Sequence, residues 1–256
     1  MRASSRPDWP PRLALLAGGL ATRLLPLTAA TPKSLIPVAG EPFLAHQLRH
    51  LAAEGIREVV LCCGHLGDQI EAFAGDGRPF GLSIVYSRDG DCPLGTGGAL
   101  RAALPHLGPH FLVMYGDSWL TEPIRPVWNA FLRSGRPALM TVFPNRNRWG
   151  ASNVEFRQGA VLRYDKLQPS PSMTHIDYGL EALDASVFEL CPQPRFDLAG
   201  LFSVLVARSQ LAGYETAGRF YEIGSLDGLR ETESVLTVST SHAAQLAPWD
   251  RRGVLL

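Results

Sequence analysis

Apolar and polar positions come in blocks along the first half of the chain, and the period of each block suggests its structure. Residues 13–17 form a continuous apolar run closed by Gly18 and Gly19, the pattern of a strand buried on both faces of a parallel sheet. After Pro42, Leu44, Leu48 and Leu51 recur on one helical face as far as Gly55, which predicts a helix with a proline start and a glycine stop. Residues 58–63 read as a second buried strand, 66–74 as a helix and 82–86 as a third strand. Residues 94–104 begin as a glycine-rich turn and continue as a helix, and the apolar run 111–115 is another strand. Strand and helix in regular succession predict an α/β chain with a doubly wound, mostly parallel sheet and right-handed crossovers. Ligands of such sheets sit outside the carboxyl ends of the strands.

Beyond about residue 140 the pattern becomes β-rich. Residues 154–156 and 160–164 flank Arg157-Gln158-Gly159 as a hairpin, and a helix is expected near 196–207. There is no internal repeat and no hexapeptide β-helix pattern. The expected organisation is one domain over 12–240, with a ligand-binding half at about 12–120, a small β-rich half at about 121–240, and tails at 1–11 and 241–256. No appended left-handed helix domain is expected.

Composition narrows the function classes. The 256 residues suit one α/β domain, and 24 basic against 24 acidic side chains give no surface for nucleic acid or an anionic membrane. No apolar run approaches the ~20 residues of a membrane span. The N-terminus, with Arg2, Arg6, Asp8 and Trp9, lacks a signal peptide's apolar core, so a cytoplasmic location is expected. Four cysteines without C-x-x-C spacing read as small core residues. His46 and His50 have an i, i+4 spacing that suits zinc, but with no third ligand they read as a solvated helix face. His175 is expected to begin an element close enough to Asp177 to line a pocket.

Candidate chemistry starts where the first strand ends. Gly18 and Gly19 free the backbone to take positive φ and to approach a ligand, and N–H groups in such a turn can cradle an anion. Arg23 offers a fork of donors and Lys33 a compact mobile charge, while Pro26, Pro32 and Pro37 stiffen the loop. The competing reading is an ordinary turn with solvated basic residues; the dense spacing favours a polyphosphate site. Lys33-Ser34 lacks the glycines of G-x-x-x-x-G-K-[ST], and no G-x-G-x-x-G follows the strand, which argues against a P-loop hydrolase and a dinucleotide dehydrogenase.

The run L-A-G-G-L-A-T-R-L-L-P-L-T from Leu16, followed by P-K-S-L-I-P-V, resembles the signature of the nucleoside-diphosphate-sugar pyrophosphorylases, the sugar-1-phosphate nucleotidyltransferases, of the single-domain bacterial type. Ala21 stands where that family has glycine. The resemblance extends from about residue 13 to 236 and implies a Rossmann-like nucleotidyltransferase fold. It places Leu16, Ala17, Gly18, Gly19, Ala21, Thr22 and Arg23 around the nucleotide.

Further segments carry the resemblance along the chain. Tyr115-Gly116-Asp117 sets an aspartate at the end of a buried strand, where a divalent cation is a natural partner; a helix N-cap near Pro123 is the other reading. The family likeness implies that Asp117 binds magnesium and that Glu222, in a segment similar to D-I-G-T-P-E, is the second ligand; capping a helix from Ser225 is the alternative. Tyr164-Asp165-Lys166 resembles E-K-P, which implies that Asp165 meets sugar hydroxyls and Lys166 the sugar phosphate. Ile176-Asp177-Tyr178-Gly179 resembles I-N-x-G, so Asp177 is implied at the sugar, where it can only accept hydrogen bonds, or else at the metal. Gly150 follows Trp149 in a turn implied to approach the sugar. Thr96, Gly97 and Gly98 resemble the glycine turn beside base and ribose, with a plain helix start as the alternative.

The implied reaction is in-line attack of a sugar-1-phosphate oxygen on the α-phosphorus of a nucleoside triphosphate, releasing pyrophosphate. Arg23, Lys33 and Asp117 are the catalytic residues, with Mg2+ on Asp117 and Glu222, and the protein's work is positioning and charge neutralisation. GTP with a mannose- or heptose-like 1-phosphate is the expected pair. Cytidylyl, uridylyl or thymidylyl transfer to another sugar phosphate or to phosphocholine is an alternative, as is a non-catalytic regulatory subunit that binds nucleotide sugars. A homodimer is the expected assembly, without nucleic acid or membrane as partner.

Overall fold

A computed structural model describes residues 9–19, 24, 28–90 and 92–246, the stretch 239–246 by its backbone only. In chain order the first half contains β1 (Arg12–Leu16), β2 (Pro37–Val38), β3 (Glu41–Pro42), α1 (Phe43–Ala53), β4 (Glu58–Cys63), α2 (Gly67–Ala74), β5 (Ser83–Arg88), α3 (Gly95–Leu107), β6 (His110–Tyr115) and β7 (Ser118–Trp119). There follow α4 (Ile124–Ser134), β8 (Ala138–Pro144), β9 (Val154–Arg157), β10 (Ala160–Tyr164), β11 (His175–Asp184), α5 (Leu198–Ala207), β12 (Leu211–Glu215), β13 (Tyr221–Glu222) and α6 (Leu226–Leu246).

A nine-stranded sheet runs in the order β5-β4-β1-β6-β11-β8-β12-β10-β9. The strands β5, β4, β1 and β6 are mutually parallel, as their continuous apolar runs predict. Strand β11 enters antiparallel between β6 and β8, β12 runs parallel to β8, and the hairpin β9–β10 closes the far edge.

The period-2 alternation of each strand divides the core between the two faces of the sheet. Leu13, Leu15, Leu61, Leu112 and Met114 point one way and are covered by α1, α2 and α4; Ala14, Val60, Cys62, Phe111 and Val113 point the other way, under α3 and α5. Leu13 and Leu15 are fully buried, and each such leucine contributes roughly 2 kcal/mol. Both faces being covered, the parallel strand ends are left as the place for a site.

Three expectations are corrected. The third strand starts at Ser83 rather than 82, because Leu82 closes the preceding turn by donating to Gly77 O. Cys92 is exposed, whereas Cys62, Cys63 and Cys191 are the core residues expected. His46 is buried and hydrogen-bonds Val38 O at 2.8 Å, so this face of α1 packs on the β2–β3 hairpin instead of meeting water. The His50 ring packs tilted against Trp119, with centroids 4.9 Å apart, and burial lowers its pKa despite nearby Glu54.

Candidate active site

A cleft of about 410 Å3 opens at the carboxyl ends of β1 and β6. Its floor is the main chain of Leu16 to Gly19 and of Tyr115 to Asp117, and Lys33 and Thr96 stand on its walls. Gly18 and Gly19 both lie there, but neither adopts positive φ. Glycine is needed at 18 for close approach: a Cβ there would stand 2.9 Å from the backbone nitrogen of Gly64. A Cβ on Gly19 would meet nothing within 4 Å, so the backbone at 19 is bare toward open space.

Asp117 is presented by the turn from β6 to β7. Gln47, fully buried on α1, donates to Tyr115 O at 3.2 Å and Ser118 O at 2.9 Å, gripping the turn from both sides. Lys33, on a single 3-10 turn after Pro32, places its ammonium 2.7 Å from Asp117 Oδ2. Asp117 does not cap α4, whose first N–H, at Ile124, is taken by Glu54 at 2.9 Å. Glu222 lies on β13, paired with β7 beside Asp117, and Ile223 N–H donates to Asp117 O at 2.9 Å. Its carboxylate also accepts from Gly224 N–H at 2.5 Å and from Ser225 Oγ at 2.8 Å, at the start of α6.

A second cation approaches the same strand end. Among 24 basic residues the chain has only two lysines, Lys33 and Lys166. Lys166 lies over the ring of Tyr115 at 5.3 Å and 3.2 Å from Asp177 Oδ2. Burial alone would lower its pKa; the Asp177 carboxylate, with Asp117 beyond it, outweighs that and holds it above the ordinary value. Asp177 is buried: Oδ2 also accepts from Tyr164 hydroxyl at 2.9 Å, and Oδ1 accepts from Gly179 N–H at 3.1 Å.

Other sequence-inferred residues occupy supporting places. Asp165 accepts from Gln168 N–H at 2.8 Å and Leu167 N–H at 2.9 Å, which hold its carboxyl below the usual range and fold the turn that carries Lys166. Thr96 lines the cleft, but its hydroxyl accepts from Leu198 N–H at 2.8 Å. Gly97 and Gly98 lie outside the cleft lining and donate to Phe196 O at 3.0 and 3.1 Å, and the Phe196 ring presses on Gly97 where a side chain would begin. Gly150, at φ +108°, sits in a loop knotted by Asn145, beside the side chain of Ile176. His175 is spent on Glu215 at 2.8 Å. Ala21, Thr22 and Arg23 lie outside the described residues.

Asp89 and Asp197 also line the cleft, a role with no local signal in the sequence. Asp89 accepts from Leu94 N–H at 3.2 Å and its pKa is raised by burial. Asp197 Oδ1 faces Thr96 N–H at 3.4 Å.

The cleft at the parallel strand ends is thus floored by main chain, and two lysines approach the aspartate-bearing turn at its edge. The chain belongs to the MobA-like NTP transferase domain family, which it matches over residues 13–243. It is 46% identical over 184 residues to a mannose-1-phosphate guanylyltransferase of Mycobacterium tuberculosis, covering 71% of this chain and 51% of that protein. It is 43% identical over 104 residues to an N-acetylmuramate alpha-1-phosphate uridylyltransferase of Neisseria meningitidis, covering 40% and 45%. The chain thus spans about half the length of these curated relatives. A UDP-glucose pyrophosphorylase structure from Acinetobacter baumanii shares the fold, with TM-score 0.72 at 18% identity over 92% of this chain and 98% of that one. Among the described residues no helix is long and apolar enough to cross a membrane.

Proposed function

We propose that the protein transfers a nucleoside monophosphate from a nucleoside triphosphate to a sugar 1-phosphate, releasing pyrophosphate. The observation that carries this is the convergence of Lys33 and Lys166 on the Tyr115–Asp117 turn, one from the nucleotide side and one from the β-rich half. Two cations facing a common point suit a reaction in which two phosphates must be brought together against their mutual repulsion.

The triphosphate lies along the bare backbone of Gly18 and Gly19, with Arg23 on the leaving phosphates, Lys33 near the α-phosphate and Thr96 beside the nucleoside. Lys166 meets the sugar phosphate, with Gly150 bordering the sugar. Magnesium is held by Asp117 and Glu222. One carboxylate on the turn that leads into β7 and one on the strand paired with β7 would fit its habit of taking one or two protein carboxylates and completing its shell with substrate phosphates. Among the described residues no cluster of three or more His, Cys, Asp or Glu side chains competes for it. The metal supplies Lewis-acid neutralisation of phosphate charge. Lys33 balances Asp117 and can exchange that partner for a phosphate oxygen; Gln47 keeps the turn in place while it does so.

GTP is the proposed nucleotide, with a mannose- or heptose-like 1-phosphate as acceptor. Asp89 and Asp197 give the cleft wall beside the glycine turn an acceptor character, which matches a base edge rich in donors, as guanine's N1–H and amino group are. The test is pyrophosphate release with four triphosphates against mannose, glucose, N-acetylhexosamine and heptose 1-phosphates. Release with GTP and one of these acceptors is expected. Nucleotide binding without release on any pair would refute transfer.

A further inference from the structure

Strand β11 is irregular where it passes the site. Asp177 pairs with Val142 and Glu181 with Met140, so three residues of β11, Tyr178, Gly179 and Leu180, are set against the single Thr141 of β8. They form a bulge with two surplus residues, and Gly179 takes φ +97° there. Thr141, fully buried, fills it from β8: its hydroxyl donates to Leu180 O at 2.6 Å and accepts from Leu180 N–H at 3.3 Å. In a regular strand Asp177 and Glu181 would stand roughly 13 Å apart. The bulge brings their carboxyls together.

Glu181 is fully buried, and among the described residues neither carboxyl oxygen has a donor in reach. The groups facing it are Asp177 on its own strand, Lys166 beyond β10, Tyr164 on β10, and Tyr115 on β6. Asp117 beyond β6 acts on Tyr115 and Lys166. Only one of these is a cation, and Asp177 already matches it. A second carboxylate would be an uncompensated buried charge, whereas a carboxyl that keeps its proton can donate it to Asp177. With that bond, Tyr164, Lys166, Gly179 and Glu181 fill the four acceptor positions of Asp177, which is left with none for a sugar.

We propose that Glu181 is a positioning residue for the sugar 1-phosphate, carrying a proton shared with Asp177 and thereby locking the one carboxylate that aims the Lys166 ammonium. The inference rests on the reading of Lys166 as the sugar-phosphate ligand. No covalent step involves Glu181, and its effect reaches the substrate only through Lys166.

The test compares the wild-type full chain with Glu181→Gln, Glu181→Leu and Lys166→Ala. Pyrophosphate release from magnesium GTP is followed with mannose 1-phosphate as the varied probe. Acetylation of Lys166 is measured in parallel by mass spectrometry, with Lys33 as reference in the same digest, so a readout exists without turnover. Glutamine keeps the donor and the shape, so Glu181→Gln should stay within about twofold of wild type in KM for mannose 1-phosphate and in the Lys166-to-Lys33 acetylation ratio. Glu181→Leu should raise that KM roughly ten- to hundredfold, the worth of one hydrogen bond to a charged group, with the KM for GTP unchanged and Lys166 acetylated faster. The proposal is overturned if the glutamine and leucine variants are equally impaired, if leucine changes neither readout, or if it damages both substrates alike. An unchanged KM for mannose 1-phosphate in Lys166→Ala would instead refute the assignment of Lys166, while the acetylation ratios still decide whether Glu181 orders it.

Discussion

Replacing Thr141 by valine tests the latch in the β11 bulge. Valine matches threonine in shape, so no cavity opens; what disappears is the hydroxyl that serves both backbone groups of Leu180 at 2.6 and 3.3 Å. A buried donor or acceptor stripped of its partner costs about 1–3 kcal/mol, and the longer of the two bonds is the weaker, so a net loss of about 2 kcal/mol is expected. For a chain of this size that lowers Tm by roughly 4–8 °C. Thr141→Ser is the control: it keeps the hydroxyl and loses a methyl, at a cost of about 1 kcal/mol. The expected order in a denaturant titration is therefore wild type, serine, valine, although valine is the more apolar residue in a fully buried position. A valine variant as stable as wild type, with serine below it, would refute the latch. If the order holds, the valine variant should also show a raised KM for the sugar phosphate, since the bulge sets the spacing of Asp177 and Glu181.

Asp117→Asn should fold but lose turnover by about a thousandfold, the scale of several kcal/mol of lost metal-assisted charge stabilisation, and chelation of divalent ions should do the same to wild type; near-normal pyrophosphate release in either case would refute the metal assignment. Glu181 has an ordinary pKa near 4.5, and burial together with Asp177 pushes it well above that in the fold. The unfolded chain then sheds a proton that the fold retains, so this group lowers stability as pH rises above about 4.5, by about 1.4 kcal/mol per unit. Glu181→Gln should gain on wild type in denaturant midpoints as pH rises above about 4.5, and parallel curves would show Glu181 to be ionised. Burial pushes the Cys63 thiol up to about 12 and raises Cys62 and Cys191 as well, whereas Cys92 is exposed. Mild alkylation of the native protein should therefore add one label, at Cys92, and a second under native conditions would contradict that packing. Gly18→Ala should cost about 1–3 kcal/mol in unfolding free energy through its clash with Gly64, while Gly19→Ala leaves stability unchanged.

The parallel strands of the first half were legible because each is a short apolar run, and the loop after β1 stood out because glycine, lysine and proline crowd a few residues at a strand end; β8, β11 and β12 of the second half were not read from the sequence. Lys33, Asp117 and Lys166 each stand beside a short local pattern, and the structure sets the two lysines near the Tyr115–Asp117 turn. What escaped the sequence depends on contacts distant along the chain. Gly97 and Gly98 read as a surface for a base until Phe196, almost a hundred residues away, is seen packed against them. Glu181 sits in an apolar run and becomes notable only once a bulge, invisible in the residue pattern, folds it onto Asp177. His46 looked solvated because the covering hairpin is only two residues wide on each strand.

The place of β11 in the sheet has a consequence for how the chain is made. Strand β6, which carries the Tyr115–Asp117 turn, pairs on one side with β1 and on the other with β11, about sixty residues further along. At ribosomal speeds of roughly 5–20 residues per second, β6 waits several seconds with its outer edge bare. A fragment ending near residue 120 would keep that edge permanently open, an invitation to pair with another copy. Residues up to about 120 expressed alone would therefore leave β6 half-paired: its outer edge is closed only when β11 arrives.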